Sequence, residues 1–160
     1  MIRIATDADV EGLAEVLLDA VAGGASVSFM ADLTKAQAIA YWRKIIADSQ
    51  RVVLVAGERD GTATLVLETP PNQPHRADLA KMLVHRRARR HGLGRALFDA
   101  ICDEARRRGR TLLTFDTMAG SAAERLYLSS GCVKVGEIPQ YALWPDGTGP
   151  GATSIFYKRL

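Results

Sequence analysis

Leu83-Val84-His85-Arg86-Arg87-Ala88-Arg89-Arg90-His91-Gly92-Leu93-Gly94-Arg95-Ala96-Leu97 is the most informative stretch of this chain. An apolar run with strand character leads into a basic turn holding two glycines. The turn opens directly into a helix marked by Leu93, Leu97 and Ile101 at four-residue spacing. Gly92 and Gly94 let backbone N–H groups come close to a phosphate, and the helix N-terminus adds orphan donors and a positive dipole end. Arg86, Arg87, Arg89, Arg90 and Arg95 add formal charge, and no acid interrupts them. These features together describe a pyrophosphate cradle. The plain alternative is a solvated basic turn ahead of a surface helix.

Two familiar cradles do not fit. A P-loop requires Lys followed by Ser or Thr after its second glycine, where this chain has Arg95-Ala96. A dinucleotide fingerprint requires a third Gly or Ala three residues after Gly94, where this chain has Leu97.

The chain has 160 residues, 48% of them apolar, which suits a single domain over residues 1–160 with one core. No apolar run approaches the roughly 20 residues that span a bilayer, so no membrane partner is expected. The N-terminus carries no signal-peptide pattern, and a cytoplasmic location is the expectation. Cys102 and Cys132 have no paired spacing, which suggests reduced thiols. His75, His85 and His91 have no ligand spacing with them, so no metal is expected. The net charge is only +3. A second basic cluster, Arg106, Arg107, Arg108 and Arg110, suits a helix C-terminus closed by Gly109. Nucleic acid is not expected as a partner of the first cluster, because aromatic residues for base stacking are missing there.

Away from the cradle, residues 2–5 read as a strand, and Thr6 caps a helix with Val10, Leu13, Ala14, Leu17 and Val21 on one face. Residues 25–32 form a loop carrying an exposed-looking Phe29-Met30 pair. Thr34-Lys35-Ala36-Gln37 is a capping box before a second helix with Ala38, Tyr41, Trp42, Ile45 and Ile46 inward. Strands at 51–58 and 62–67 meet at the hairpin signal Asp60-Gly61. Residues 76–84 are the strand before the cradle, 92–108 the third helix and 112–116 the fifth strand. A capping box at Ser121-Ala122-Ala123-Glu124 opens a short helix over 122–130. Strands at 133–138 and 153–158 follow, separated by a loop around Pro145-Asp146-Gly147. The order β-α-α-β-β-β-α-β-α-β-β predicts an α/β fold. Its mixed, mostly antiparallel sheet of about seven strands has one parallel crossover and helices on both faces.

Arg89-Arg90-His91-Gly92-Leu93-Gly94 resembles the Arg/Gln-x-x-Gly-x-Gly/Ala signature of the GNAT superfamily of N-acetyltransferases at every defined position. The element order is similar to the GNAT fold, with the cradle between the fourth strand and the third helix. Tyr127-Leu128-Ser129-Ser130-Gly131-Cys132 resembles the family's Tyr-x-x-x-Gly-Phe pattern, with Cys132 in place of the aromatic residue. Residues 23–33, 116–121 and 135–139 resemble segments of the tabtoxin-resistance subfamily. The resemblance implies acetyl-CoA as cosubstrate and a small primary amine as acceptor, an amino-acid-like antimicrobial among the candidates. Where many members carry an asparagine seven residues before the tyrosine, this chain has Gly120.

Amide formation from a thioester needs a neutral amine, a stabilised oxyanion and a proton for the departing thiolate. An amine of pKa roughly 8 to 10 is mostly protonated at neutral pH. Asp116, at the end of the fifth strand, is the candidate for orienting the amine or relaying its proton, against a role as a turn carboxylate. Tyr127 is the candidate proton donor to the thiolate, on the family spacing, against a role as a core aromatic. The resemblance implies that Met82, Leu83 and Val84 pair with the pantetheine arm and offer a backbone N–H to the oxyanion. It likewise implies that Arg89, Arg90, Gly92, Leu93, Gly94 and Arg95 hold the pyrophosphate, and that Ser121 stands in near Gly120. Arg86 or Arg87 is a candidate for the cofactor's remaining phosphate.

For the substrate, Phe29, Met30 and Asp32 on the first loop are candidates, with Arg76 and Asp78 on the fourth strand. Alternation places Arg76 and Asp78 on one side, suited either to an amino acid's two charges or to an ion pair with each other. An enzyme acting on a protein N-terminus or lysine, and a non-catalytic acyl-CoA-binding module, are the rival readings. A homodimer is left open.

Overall fold

Two apolar layers, one on each face of a seven-stranded sheet, take up every buried apolar side chain of the computed structural model, which describes residues 1–160. The elements are β1 (Ile2–Ile4), α1 (Val10–Ala22), α2 (Lys35–Ala47), β2 (Arg51–Ala56), β3 (Gly61–Leu67) and β4 (Arg76–Val84). They continue with α3 (Leu93–Arg107), β5 (Leu112–Met118), α4 (Ala122–Ser129), β6 (Val133–Ala142) and β7 (Gly151–Arg159). The strand order is β1-β2-β3-β4-β5-β7-β6. Only β4 and β5 run parallel, joined by the α3 crossover. The expected mixed sheet with helices on both faces is therefore what the chain forms. No helix is long and apolar enough to cross a membrane.

β2 shows why its sequence is an unbroken apolar run. Val52, Leu54 and Ala56 enter the layer under α3, while Val53 and Val55 enter the layer under α1 and α2. The α3 stripe Leu97, Phe98, Ile101, Cys102 and Ala105 fills the first layer, with Phe115, Tyr127 and Phe156. Leu13, Leu17, Trp42 and Ile45 fill the second. Gly61 lets β3 start against α3, since a Cβ there would stand 2.9 Å from Leu83 O and 3.0 Å from Leu97 Cδ1.

Several expected boundaries move. The β2–β3 turn takes residues 57–60, with Gly57 at φ +60°, and Gly61 is already strand. Thr6 precedes a 3-10 turn, Asp7–Asp9, before α1 begins. β5 runs on to Met118 rather than stopping at Asp116, because β7 pairs with it from Leu112↔Arg159 to Met118↔Thr153. β6 and β7 lengthen as a hairpin, and β6 carries Pro139 because an edge strand can spare a donor.

Candidate active site

β4 and β5 share register only over Arg76↔Leu112, Ala77↔Leu113 and Asp78↔Thr114. Beyond these pairs β4 stays with β3 and β5 stays with β7, so the two parallel strands part. The cradle lies at the far end of β4. Val84 leads through His85 and a 3-10 turn, Arg86–Ala88, into Gly92, the N-cap of α3, at φ +78°. Arg90 also has positive φ, at +65°. The N–H groups of Arg90, His91, Gly92, Leu93, Gly94 and Arg95 meet no acceptor within the chain. A run of unpaired donors at a helix N-terminus, beside cationic side chains, fits a pyrophosphate.

The arginine side chains are partly committed elsewhere. Arg89 Nε donates to Val84 O at 3.0 Å, and Arg87 Nε donates to Asp60 Oδ1 at 3.2 Å. Arg95 Nη1 donates to Ser129 O at 3.3 Å. Arg86 binds Asp19 through its backbone N–H, 2.9 Å from Oδ2, and through its guanidinium. Arg90 is exposed, and its guanidinium makes no ion pair. Burial alone would raise the pKa of Asp19; the hydrogen bonds from Arg86 outweigh that and hold the carboxyl below its usual value. Asp19 thus ties the cradle loop to α1. Its signal in the sequence is an acid interrupting the apolar face of Val16, Leu17, Ala20 and Val21.

β4 contains a bulge. Thr64 faces Ala80 and Thr62 faces Leu83, so Lys81 and Met82 together span the place of Ala63. Lys81 takes the strain, at φ +48°, a conformation that costs a non-glycine residue on the order of 1 kcal/mol. The extra residue resets the alternation: Ala77, Leu79, Met82 and Val84 turn to the α3 layer, and Leu83 turns to the α1 and α2 layer.

Tyr127 enters from α4 into the α3 layer. Its ring centroid is 4.5 Å from that of Phe115 and 5.4 Å from that of Phe98. The ring is thus a core aromatic, while the hydroxyl reaches β4 and donates to Met82 Sδ at 3.8 Å. Burial pushes the Tyr127 pKa up, with nearby Cys132 and Asp116 adding to the shift, so the hydroxyl stays protonated. Asp116 lies within β5, not at its end, and faces away from the layer that takes Leu113 and Phe115. Its carboxylate is exposed and accepts from Thr153 Oγ1 at 2.7 Å, so the strand pairing excludes a turn role.

Ser121 caps α4, its Oγ accepting from Glu124 N at 3.1 Å. The Glu124 side chain takes the N–H of Gly120, so both groups near the family's asparagine position serve the first turn of α4. Lys134 and Ser154 also donate to Glu124, and these bonds hold its carboxyl at about 2. Arg76 and Asp78 bond to each other at 2.5 Å, with Thr114, Gln73 and Glu68, the last an ion pair with Arg76 at 3.4 Å, in the same group. Of the two arrangements expected for them, the structure has the ion pair.

Phe29 is half-buried rather than exposed, edge-on to Tyr41 at 5.1 Å. Met30 and Asp32 are exposed. The loop carrying them meets the β6–β7 loop, where Ala31 N donates to Pro145 O at 2.8 Å. Trp144 folds into its own loop because Gly149 and Gly151 leave room; a Cβ on either would stand 2.7 Å from the indole. A groove of about 560 Å³ lies between these loops and the end of α1, lined by Val21, Trp144, Pro145 and Asp146 among others. No three His, Cys, Asp or Glu side chains cluster as metal ligands.

The sequence model of the acetyltransferase (GNAT) family matches residues 26–131. An uncharacterized N-acetyltransferase in the hisH-hisA intergenic region of Azospirillum brasilense is 28% identical over 150 residues, covering 86% of this chain and 89% of that protein. The ribosomal-protein-alanine N-acetyltransferase of Brucella melitensis is 26% identical and superposes with a TM-score of 0.81, over 100% of this chain and 99% of that one. The Salmonella typhimurium protein yncA, solved with its cofactor acetyl-CoA, superposes with a TM-score of 0.78 at 23% identity, over 100% and 93% of the two chains. At that identity the likeness is one of fold.

Proposed function

The chain belongs to the acetyltransferase (GNAT) family and is an acetyl-CoA-dependent N-acetyltransferase, and we propose that its acceptor is the amine of a small molecule, amino-acid-like in class. The observation that carries this reading is the Ala31–Pro145 bond, at 2.8 Å, between the loop that reaches β4 through Ser28 and the β6–β7 loop. Two loops latched to each other beside the β4–β5 seam suit a compact acceptor better than an extended peptide. The segments resembling the tabtoxin-resistance subfamily support an antimicrobial acceptor, and with it a resistance role.

Acetyl-CoA supplies an acetyl thioester. The unpaired N–H groups of residues 90–95 hold its pyrophosphate, with the Arg90 side chain free to join them. The β4 backbone at Met82, Leu83 and Val84, unpaired on its β5 side, takes the pantetheine arm as an added strand and offers an N–H to the developing oxyanion. Asp116 orients the amine or relays its proton on one face of the sheet. Tyr127 gives a proton to the departing thiolate from the other. The amine attacks directly, with both substrates bound.

A second reading draws on the Brucella relative, whose name gives a ribosomal-protein alanine as its acceptor. A panel of amines and N-terminal alanine peptides, assayed with acetyl-CoA by release of free thiol, separates the two. Turnover of small amines supports the first reading, and turnover of peptides alone sinks it.

A further inference from the structure

An amino-acid-like acceptor needs a cation for its carboxylate and an anion for its ammonium. Arg76 and Asp78 are already bonded to each other. A second pair of opposite charge stands further along the β4–β5 seam. Lys81 occupies the strained bulge of β4 just where β4 has left β5. Its ammonium has one hydrogen-bond partner, Ser28 Oγ at 3.2 Å, and stands 6.0 Å from the Phe29 ring centroid. No carboxylate lies within ion-pairing distance of it.

Asp116 answers it from β5. Leu113 and Phe115 turn to the α3 layer, so alternation turns Asp116 to the opposite face, the face of the loop that carries Ser28 and Phe29. Its one hydrogen-bond partner is Thr153. Burial lowers the Lys81 pKa, Asp116 opposes that shift, and Arg51 adds to it, so the two charges feel each other without touching. A desolvated ammonium with no anionic partner is stabilised by an incoming anion. The bulge is what turns Lys81 toward this face, since unbroken alternation from Leu79 would send it into the α3 layer.

We propose that Lys81 is the specificity-determining residue for the acceptor, its ammonium taking a carboxylate of the substrate while Asp116 takes the substrate's amino group. This rests on the small-amine reading above. It narrows the acceptor class to amines that carry a carboxylate.

The test uses the common α-amino acids, each beside its decarboxylated amine, and an alanine-initiated peptide amide. Wild type, Lys81→Met and Lys81→Arg are assayed with acetyl-CoA by thiol release. Calorimetric titration with acetyl-CoA confirms that each variant is folded and loaded. The expected result is a wild-type kcat/KM at least about 10-fold higher for an amino acid than for its decarboxylated partner. That ratio falls toward one in Lys81→Met and largely returns in Lys81→Arg, which a purely structural role would not produce. An unchanged ratio in Lys81→Met, or a wild type that takes both partners equally, overturns the Lys81 assignment and leaves small-amine acetylation standing. Turnover of the peptide alone, or of no acceptor in the panel, overturns the small-amine reading and this inference with it.

Discussion

The Tyr127 hydroxyl donates to Met82 Sδ across 3.8 Å, bringing a residue of α4 to the strand that parts from β5. A thioether is a weak acceptor, so the bond costs little to give up when a better partner arrives. Burial raises the hydroxyl's pKa, which keeps it protonated at neutral pH and also makes it a weaker acid toward a departing thiolate. Tyr127→Phe keeps the ring among Phe98, Phe115 and Phe156 and deletes only the donor. Turnover is expected to fall by roughly 10²- to 10⁴-fold with acetyl-CoA affinity nearly unchanged. Steady-state kinetics beside calorimetry check this, and wild-type turnover returns Tyr127 to the core alone.

Gly92 and Gly94 matter for different reasons. Gly92 sits at φ +78°, and a Cβ there would meet nothing within 4 Å, so Gly92→Ala costs only backbone strain. That strain is roughly 1–2 kcal/mol, or about 5- to 30-fold in affinity if it shifts the turn away from the ligand-ready form. A Cβ on Gly94 would meet Leu126 Cδ2 only at an ordinary 3.4 Å, so it is the two further methyl groups of Gly94→Val that crowd the run of N–H donors, and they should weaken acetyl-CoA binding more. Calorimetry on both folded variants decides; wild-type affinity in Gly94→Val removes the cradle.

The cradle was legible because its physics is local: glycines, arginines and a helix start lie within one short stretch. The strand and helix order followed from periodicity. The bulge at Lys81 was not legible, because it depends on how β4 pairs with β3 across the sheet. Asp116 reads from the sequence as a strand end, whereas β7 decides how far β5 runs and leaves it mid-strand. Arg76 and Asp78 were visible as a charged pair. Their commitment to each other depends on Gln73 and on Thr114, a neighbour reached only through the parallel pairing.

Asp19 gives a test of the cradle that touches neither glycine nor ligand. It fastens Arg86 to α1 through two bonds, with His85 at 3.8 Å and Arg89 at 3.9 Å nearby. Asp19→Ala is expected to leave the fold intact and loosen the loop. Acetyl-CoA affinity should drop by several-fold, with a larger entropic penalty in calorimetry. Unchanged affinity would show that the loop holds its shape without α1.

Glu124 makes an acid-sensitive link between α4 and the β6–β7 hairpin. Its carboxyl is held at about 2, below the usual 4.5, first by the hydrogen bond from Lys134 and then by Gly120 and Ser154. A group whose folded pKa is depressed stabilises the fold above its unfolded value and loses that contribution as pH falls through the folded one. Glu124→Gln should therefore lower the melting temperature at neutral pH, with the gap to wild type closing between about pH 4.5 and 2. A gap that does not change with pH would mean the bonds matter by shape rather than charge.

Asp116→Asn separates chemistry from architecture at the proposed site. The two side chains are nearly isosteric, and an asparagine oxygen still accepts from Thr153 Oγ1, which Asp116 holds at 2.7 Å. The strand pairing with β7 should survive, and the melting temperature with it. If Asp116 orients the amine or relays its proton, turnover falls in the variant. The loss then shrinks as pH rises, because more of the amine is neutral as pH nears its pKa of roughly 8 to 10. If Asp116 only anchors Thr153, then Asp116→Asn, which keeps that bond, should be silent at every pH, while Thr153→Val, which deletes it, should lower the melting temperature. A pH–rate profile of both variants beside their melting curves distinguishes the two cases. Full activity in Asp116→Asn across the range would leave the amine to find its base elsewhere.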